Sequence, residues 1–200
     1  MSALIKDTSR GIERILPEDV LFTNRELFIT EEINADTCHK LLKELMALEK
    51  MDCEKEVTIY INSPGGDVDS GLAVFDYMQL MKSPIRTVCV GTAASMGAML
   101  FLAGDTREML AHSRIMIHDP AYGGGNMAGK KPHELQYMVD KLKQTQEVLA
   151  GIISEKTGKP LKEVYKKTKQ DSYFNAQEAI EYGLATGMVK TTNSESSIKI

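Results

Sequence analysis

Two β-branched runs, each ending in small residues and each followed by apolar residues at helical spacing, constrain this chain more than any other feature. Residues 57–61, Val-Thr-Ile-Tyr-Ile, have the character of a strand, and Asn62-Ser63-Pro64-Gly65-Gly66 stops it. From 68 to 81 the apolar residues Leu72, Phe75, Met78 and Leu80 return at helical spacing. The unit then recurs in type, with a strand at 85–90, a small-residue turn at 91–94 and a short helix at 95–103. That helix is apolar all round, which marks a buried one. An amphipathic helix is expected at 34–50, short strands at 107–110 and 114–117, and further helices at 160–168 and 176–182, the last ended by Gly183. A long helix should run from Pro132 to about 156, with proline in its favoured first turn. Strands alternating with helices predict an α/β domain with a largely parallel sheet.

Composition narrows the function classes. A chain of 200 residues buries roughly 70% of its unfolded surface and needs no disulfide or metal to fold. Net charge is −4 and no run of Lys or Arg exceeds two residues, which argues against a nucleic-acid surface. Cys38, Cys53 and Cys89 form no CxxC pair and keep no metal-ligand spacing with histidine, so they read as reduced thiols and no metal is expected. The N-terminus lacks the apolar core of a signal peptide. Residues 87–104 carry no charge, yet the stretch falls short of the ~20 apolar residues that span a bilayer. It reads as a strand turning into a buried helix, and the chain as cytoplasmic. The first 25 residues are weakly patterned and are expected to be mobile or partner-dependent, and 191–200 form a polar tail.

Parallel sheets carry their chemistry where strands end and helices begin. Ser95 stands at such a junction, within Gly91-Thr92-Ala93-Ala94-Ser95-Met96-Gly97. The pattern fits a nucleophile elbow, and equally a serine that caps a buried helix. Gly65 and Gly66 allow a close backbone approach, or simply make a turn. A nucleophilic serine needs a base within hydrogen-bond reach. His39, His112 and His133 read as surface residues, whereas His118 closes the apolar run Ile115-Met116-Ile117. Asp119 adjoins His118, but strand alternation turns it to the opposite face. The residues by themselves leave the acid open.

Four strings are similar to one family: Tyr60-Ile-Asn-Ser-Pro-Gly-Gly66, Cys89-Val-Gly-Thr-Ala-Ala-Ser95-Met-Gly97, Ser113-Arg-Ile-Met-Ile-His118 and Ala179-Ile-Glu-Tyr-Gly-Leu184. They resemble ClpP, the proteolytic subunit of the Clp protease, from about Arg25 to Lys190, with a weaker trace at Thr8-Ser-Arg-Gly-Ile-Glu-Arg14. The resemblance implies the α/β ClpP/crotonase fold, with stacked β-β-α units and a protruding handle helix at about 132–156. It implies a serine endopeptidase with Ser95 as nucleophile, His118 as general base and Asp171 as the acid. Backbone N–H groups of Gly66 and Met96 would form the oxyanion hole, and Gly123, Gly124 and Gly125 would hold the substrate strand. It further implies an axial segment at 1–25, a protease domain at 26–190, and heptameric rings stacked as a tetradecamer. A AAA+ unfoldase would dock on the rings, use ATP and feed in unfolded polypeptides, so this chain itself binds no cofactor.

Departures accompany the resemblance. Lys169-Gln170-Asp171 stands where the family has Asp-Arg-Asp, a ring–ring contact. Asp119 and Tyr122 replace the usual Gln and Gly, and Glu108 falls at an apolar unfoldase-docking position. These imply a divergent paralogue assembling with a second ClpP. The alternatives are a catalytically weak structural subunit of such an assembly and a crotonase-type acyl-CoA enzyme.

Overall fold

The computed structural model describes residues 4–8, 11–123 and 128–190. The main sheet is built outward from β4 (Val57–Ser63), whose residues alternate between buried and more exposed, so one face meets the core. β4 pairs in parallel with β3 (Glu26–Ile29) on one side and β5 (Ile85–Ala94) on the other. The order continues through β6 (Thr106–Met109) to β9 (Gly187–Met188), again in parallel. A branch adds β7 (Arg114–Ile117), parallel to β5, and β8 (Ser172–Asn175), antiparallel to β7. The largely parallel sheet expected from the alternation is therefore present, with one antiparallel pair.

Two strands run further than their sequence suggests. β4 continues through Ser63, past the expected stop at Asn62, with a register irregularity between Ile61 and Ser63. β5 runs straight through the expected turn at 91–94 because it changes neighbour there. Arg86–Cys89 pair with β6, and Thr92, Ala93 and Ala94 then pair with Arg114, Ile115 and Met116 of β7. Asn62 braces the changeover, its Oδ1 accepting the Thr92 N–H at 3.0 Å. The small residues thus serve a fork in the sheet.

The helices follow the pattern closely. α2 (Ala35–Met51) starts at Asn34, whose side chain accepts from the Asp36 and Thr37 amides, and it buries Leu41, Leu45 and Leu48. α3 (Val68–Leu80) buries Val74, Phe75 and Met78. Every residue of α4 (Met96–Leu102) is buried, as an all-apolar helix requires. Fully burying a side chain such as Phe101 or Leu100 stabilises the fold by about 1.5–3 kcal/mol each. α5 (Pro132–Thr157) has 26 residues, about 39 Å of helix. Its buried residues are Leu149, Ala150 and Ile153, all in its last third, while Leu135, Tyr137, Val139 and Val148 are exposed. The expected handle is present. α6 (Leu161–Thr168) and α7 (Ala176–Tyr182) complete the set.

The N-terminal region departs from its weak pattern. β1 (Leu4–Thr8) and β2 (Gly11–Ile15) form an antiparallel pair, and α1 (Pro17–Thr23) follows, with proline in its first turn. Five-residue strands without a β-branched run give little periodic signal. The polar tail at 191–200 lies outside the described residues. Among the described residues no helix is long and apolar enough to cross a membrane.

Candidate active site

α4 begins directly where β5 ends, and Ser95 absorbs the change of direction. Its backbone has φ 53° and ψ −121°, a left-handed setting that costs a non-glycine residue on the order of 1–3 kcal/mol. The Ser95 amide donates to the Met116 carbonyl of β7 at 2.9 Å, which pins the strained residue to the sheet. Its side chain makes no capping hydrogen bond. The helix-cap reading therefore fails, and the hydroxyl is turned elsewhere.

It turns to His118. β7 ends at Ile117, so Ser95 and His118 leave neighbouring strands at the same end of the sheet. His118 Nε2 lies 2.8 Å from Ser95 Oγ, a full hydrogen bond. With Ser95 donating, a neutral imidazole carries its proton on Nδ1. Nδ1 faces Asp171, whose Oδ1 is 3.6 Å away, beyond hydrogen-bond range. The Asp171 side chain is 60% exposed. It sits between α6 and β8, and β8 reaches the site by pairing Ser172 with Ile117. The three residues are thus brought together, two tightly and the acid loosely.

The glycine turn closes the other side. Gly65 has φ 97° and Gly66 φ 147°. A Cβ on Gly65 would lie 2.7 Å from that of Ser95, and one on Gly66 would lie 2.1 Å from the Ile33 carbonyl oxygen. Only glycine fits this approach. The bridge to Ile33 uses Gly65 O and Asp67 N, leaving the Gly66 N–H unused among the described residues. Met96 opens α4, where an amide has no intrahelical acceptor. Both expected donors therefore have N–H groups to offer. Gly123 lines the cavity beside Ser95, while Gly124 and Gly125 lie outside the described residues.

That cavity is about 290 Å³. Ser95 and His118 line it, with walls from Met96, Met99, Leu149 and Ile153. Asp119 lines it too. The alternation that should have turned Asp119 away does not apply, because the strand has ended at Ile117. Its amide donates to the Thr168 carbonyl at 2.7 Å instead. Sequence reasoning missed Thr168 as a cavity residue, and a lone threonine at a helix end gives no signal for it. It also missed Ser63, whose hydroxyl donates to Glu31 O at 2.6 Å and accepts the Gly65 amide at 3.2 Å, fixing the glycine turn. Glu108, the departure on β6, is paired with Arg86 across the sheet at 2.8 Å. Among the described residues no group of three or more His, Cys, Asp or Glu is arranged to hold a metal.

A family model described as Clp protease matches residues 10–192. The chain belongs to the Clp protease family. It is 42% identical over 189 residues to the ATP-dependent Clp protease proteolytic subunit 1 of Prochlorococcus marinus subsp. pastoris, covering 92% of this chain and 93% of that one. It is 37% identical to the proteolytic subunit 2 of Parasynechococcus marenigrum, covering 93% of each. It is 36% identical to the proteolytic subunit 1 of a Synechococcus strain, again covering 93% of each. Clp family membership makes the chain a serine-type endopeptidase and accounts for the α/β fold with its handle helix.

Proposed function

We propose that Ser95 is the nucleophile of an acyl-transfer peptidase, His118 its general base and Asp171 the carboxylate that orients the imidazole. The observation that carries this is the 2.8 Å contact from Ser95 Oγ, on a strained strand-to-helix turn, to His118 Nε2. Ser95 Oγ attacks the scissile carbonyl carbon while Nε2 takes the hydroxyl proton. The oxyanion faces the N–H groups of Gly66 and Met96. Collapse breaks the C–N bond and returns the proton from Nε2 to the leaving amine. Water then attacks the acyl-enzyme with His118 again as base, releasing the carboxylate product and restoring Ser95. Main chain at 123–125 would hold the substrate as an added strand, tolerating many sequences.

The relatives are named subunits of an ATP-dependent protease. By that likeness we assign this chain a place in stacked heptameric rings, served by a AAA+ unfoldase that uses the ATP and threads unfolded protein inward. Residues 26–190 would be the protease unit and 1–25 the axial segment. Free cysteines at 38, 53 and 89 suit the reducing cytoplasm. One observation favours a second reading, a subunit of weak intrinsic activity in a mixed assembly with a second ClpP: the acid stands 3.6 Å from the imidazole beside Lys169 and Gln170. The Ser95–His118 hydrogen bond supports either peptidase reading over a crotonase-type acyl-CoA enzyme.

A fluorophosphonate probe on the purified chain, followed by peptide hydrolysis, tests this. Labelling should be abolished in Ser95→Ala, with turnover falling roughly 10⁶-fold, and Asp171→Ala should lose roughly 10⁴-fold. No labelling of the intact, assembled protein favours the weak-subunit reading.

A further inference from the structure

Two polar atoms beside the proposed site are left over once its chemistry is assigned. Asp119 Oδ1 and Thr168 Oγ1 are fully buried, and neither has a hydrogen-bond partner among the described residues. Neither atom is open to solvent or to a bound chain, so the partner each lacks must come from the fold itself. An unpaired buried polar atom is costly, and native structures leave few of them. The two are complementary, because a threonine hydroxyl donates and a carboxylate oxygen accepts.

The two residues face each other across one seam. β7 and β8 run antiparallel with Ile117 opposite Ser172. Carried one residue past the strand ends, that register sets His118 against Asp171. The next contact along the seam is the Asp119 amide donating to the Thr168 carbonyl at 2.7 Å. Thr168 and Asp171 belong to one short loop, closed at its neck by the Ser172 hydroxyl, which donates to the Lys167 carbonyl at 2.7 Å. A loop tied in this way moves as a unit. A shift that draws Thr168 toward Asp119 therefore draws Asp171 toward His118, from which it stands 3.6 Å. Lys169 and Gln170, between them, are exposed and supply no packing to hold the loop in.

We infer that Asp119 and Thr168 are positioning residues: in the working site the Thr168 hydroxyl donates to Asp119 Oδ1, and that bond seats the loop so that Asp171 meets the Nδ1–H of His118. The inference rests on the proposed triad and adds the contact that sets its third member. A hydroxyl donating to a carboxylate makes a charge-assisted bond, stronger than a neutral one, which suits a contact that must hold a largely exposed acid in place. Neither residue touches substrate or takes part in proton transfer.

The test uses the full chain with Thr168→Val, which keeps the shape and removes the hydroxyl. Fluorophosphonate labelling of Ser95 and thermal melts are read on the same samples. Peptide hydrolysis should fall roughly 10–100-fold in kcat with KM nearly the same, and Thr168→Ser, which keeps the hydroxyl, should recover most of the loss. In an Asp171→Ala background Thr168→Val should cost no further activity, because its effect passes through that carboxylate. Asp119→Asn, whose amide oxygen still accepts, should lose less than Asp119→Ala. Folded, labelled Thr168→Val with the kcat of the unsubstituted chain overturns this inference alone, as does an equal loss with and without Asp171. If Thr168→Val does not fold, equal losses in Asp119→Asn and Asp119→Ala overturn it. Absence of both labelling and hydrolysis in the unsubstituted chain overturns the catalytic reading and this inference with it.

Discussion

Backbone conformation sets the places of Ser95 and Gly66 in the proposed site, and residue type alone would not reveal it. A Ser at the start of an apolar helix reads as a cap, and only the φ of 53° with an unused capping position distinguishes the elbow. Gly66 is the sharper case. Its φ of 147° and the Ile33 carbonyl oxygen, 2.1 Å from where a Cβ would stand, leave no room for alanine. Gly66→Ala should destabilise the fold by about 1–3 kcal/mol. It should also lower kcat by roughly 10²–10³-fold through the displaced N–H donor. Thermal melts and peptide turnover, read on one preparation, separate the two effects. Turnover lost no further than the unfolded fraction explains would remove Gly66 from the oxyanion site. Neither Gly65 nor Gly66 differs in sequence from an ordinary turn, and His118 was legible only as a histidine at the end of an apolar run. The fixed order of four strings, rather than any residue's chemistry, made the site readable, and Asp171 was legible only through that resemblance.

At the level of elements, periodicity told most where a segment is long and has one buried face. α2, α3 and α5 lie within a residue or two of their expected ends because Leu41, Leu45 and Leu48, or Leu149 and Ile153, repeat on one side. β3, β8 and β9, of four, four and two residues, were missed, although β6 and β7, of four each, were expected. The forked β5 was cut short because Gly91 and Thr92 look like a turn and in fact mark a change of partner. Arg25 gave no signal either. It is buried at φ 63°, donating to the Leu48, Lys55 and Glu56 carbonyls and to Ser83 Oγ, so one guanidinium ties α2 to the start of β4. The cap of α3 yields a pH prediction. The Ser70 hydroxyl, and then its amide at 2.8 Å, hold the Asp67 carboxyl below its usual range. A depressed pKa contributes stability above the unfolded value near 3.9, which is lost as pH falls through the folded value. Asp67→Ala should therefore cost about 1 kcal/mol at pH 7 and less at pH 3. Urea titrations at the two pH values check this, and an equal deficit at both would remove the charge from the explanation.

For the whole molecule the handle helix is decisive. α5 leaves Leu135, Tyr137, Val139 and Val148 exposed, an apolar surface that a lone subunit has no reason to keep. If copies pack through it, replacing Tyr137 and Val148 together by serine should shift sedimentation toward smaller species while helical circular dichroism stays the same. An unchanged sedimentation profile would move the contact off α5. The way the site is divided among the elements has a further consequence. The spacing of Ser95 and His118 is set by the bonds that join β5 to β7, so a substitution that spoils it must also weaken the core. Asp171 stands just before a four-residue strand and is largely open to solvent, so changes around it should leave folding almost untouched. Selection for a stable chain guards the first pair and is blind to the third residue. A library screened for abundance or melting temperature would keep silent variants at 169–171, and only an assay of turnover would find them.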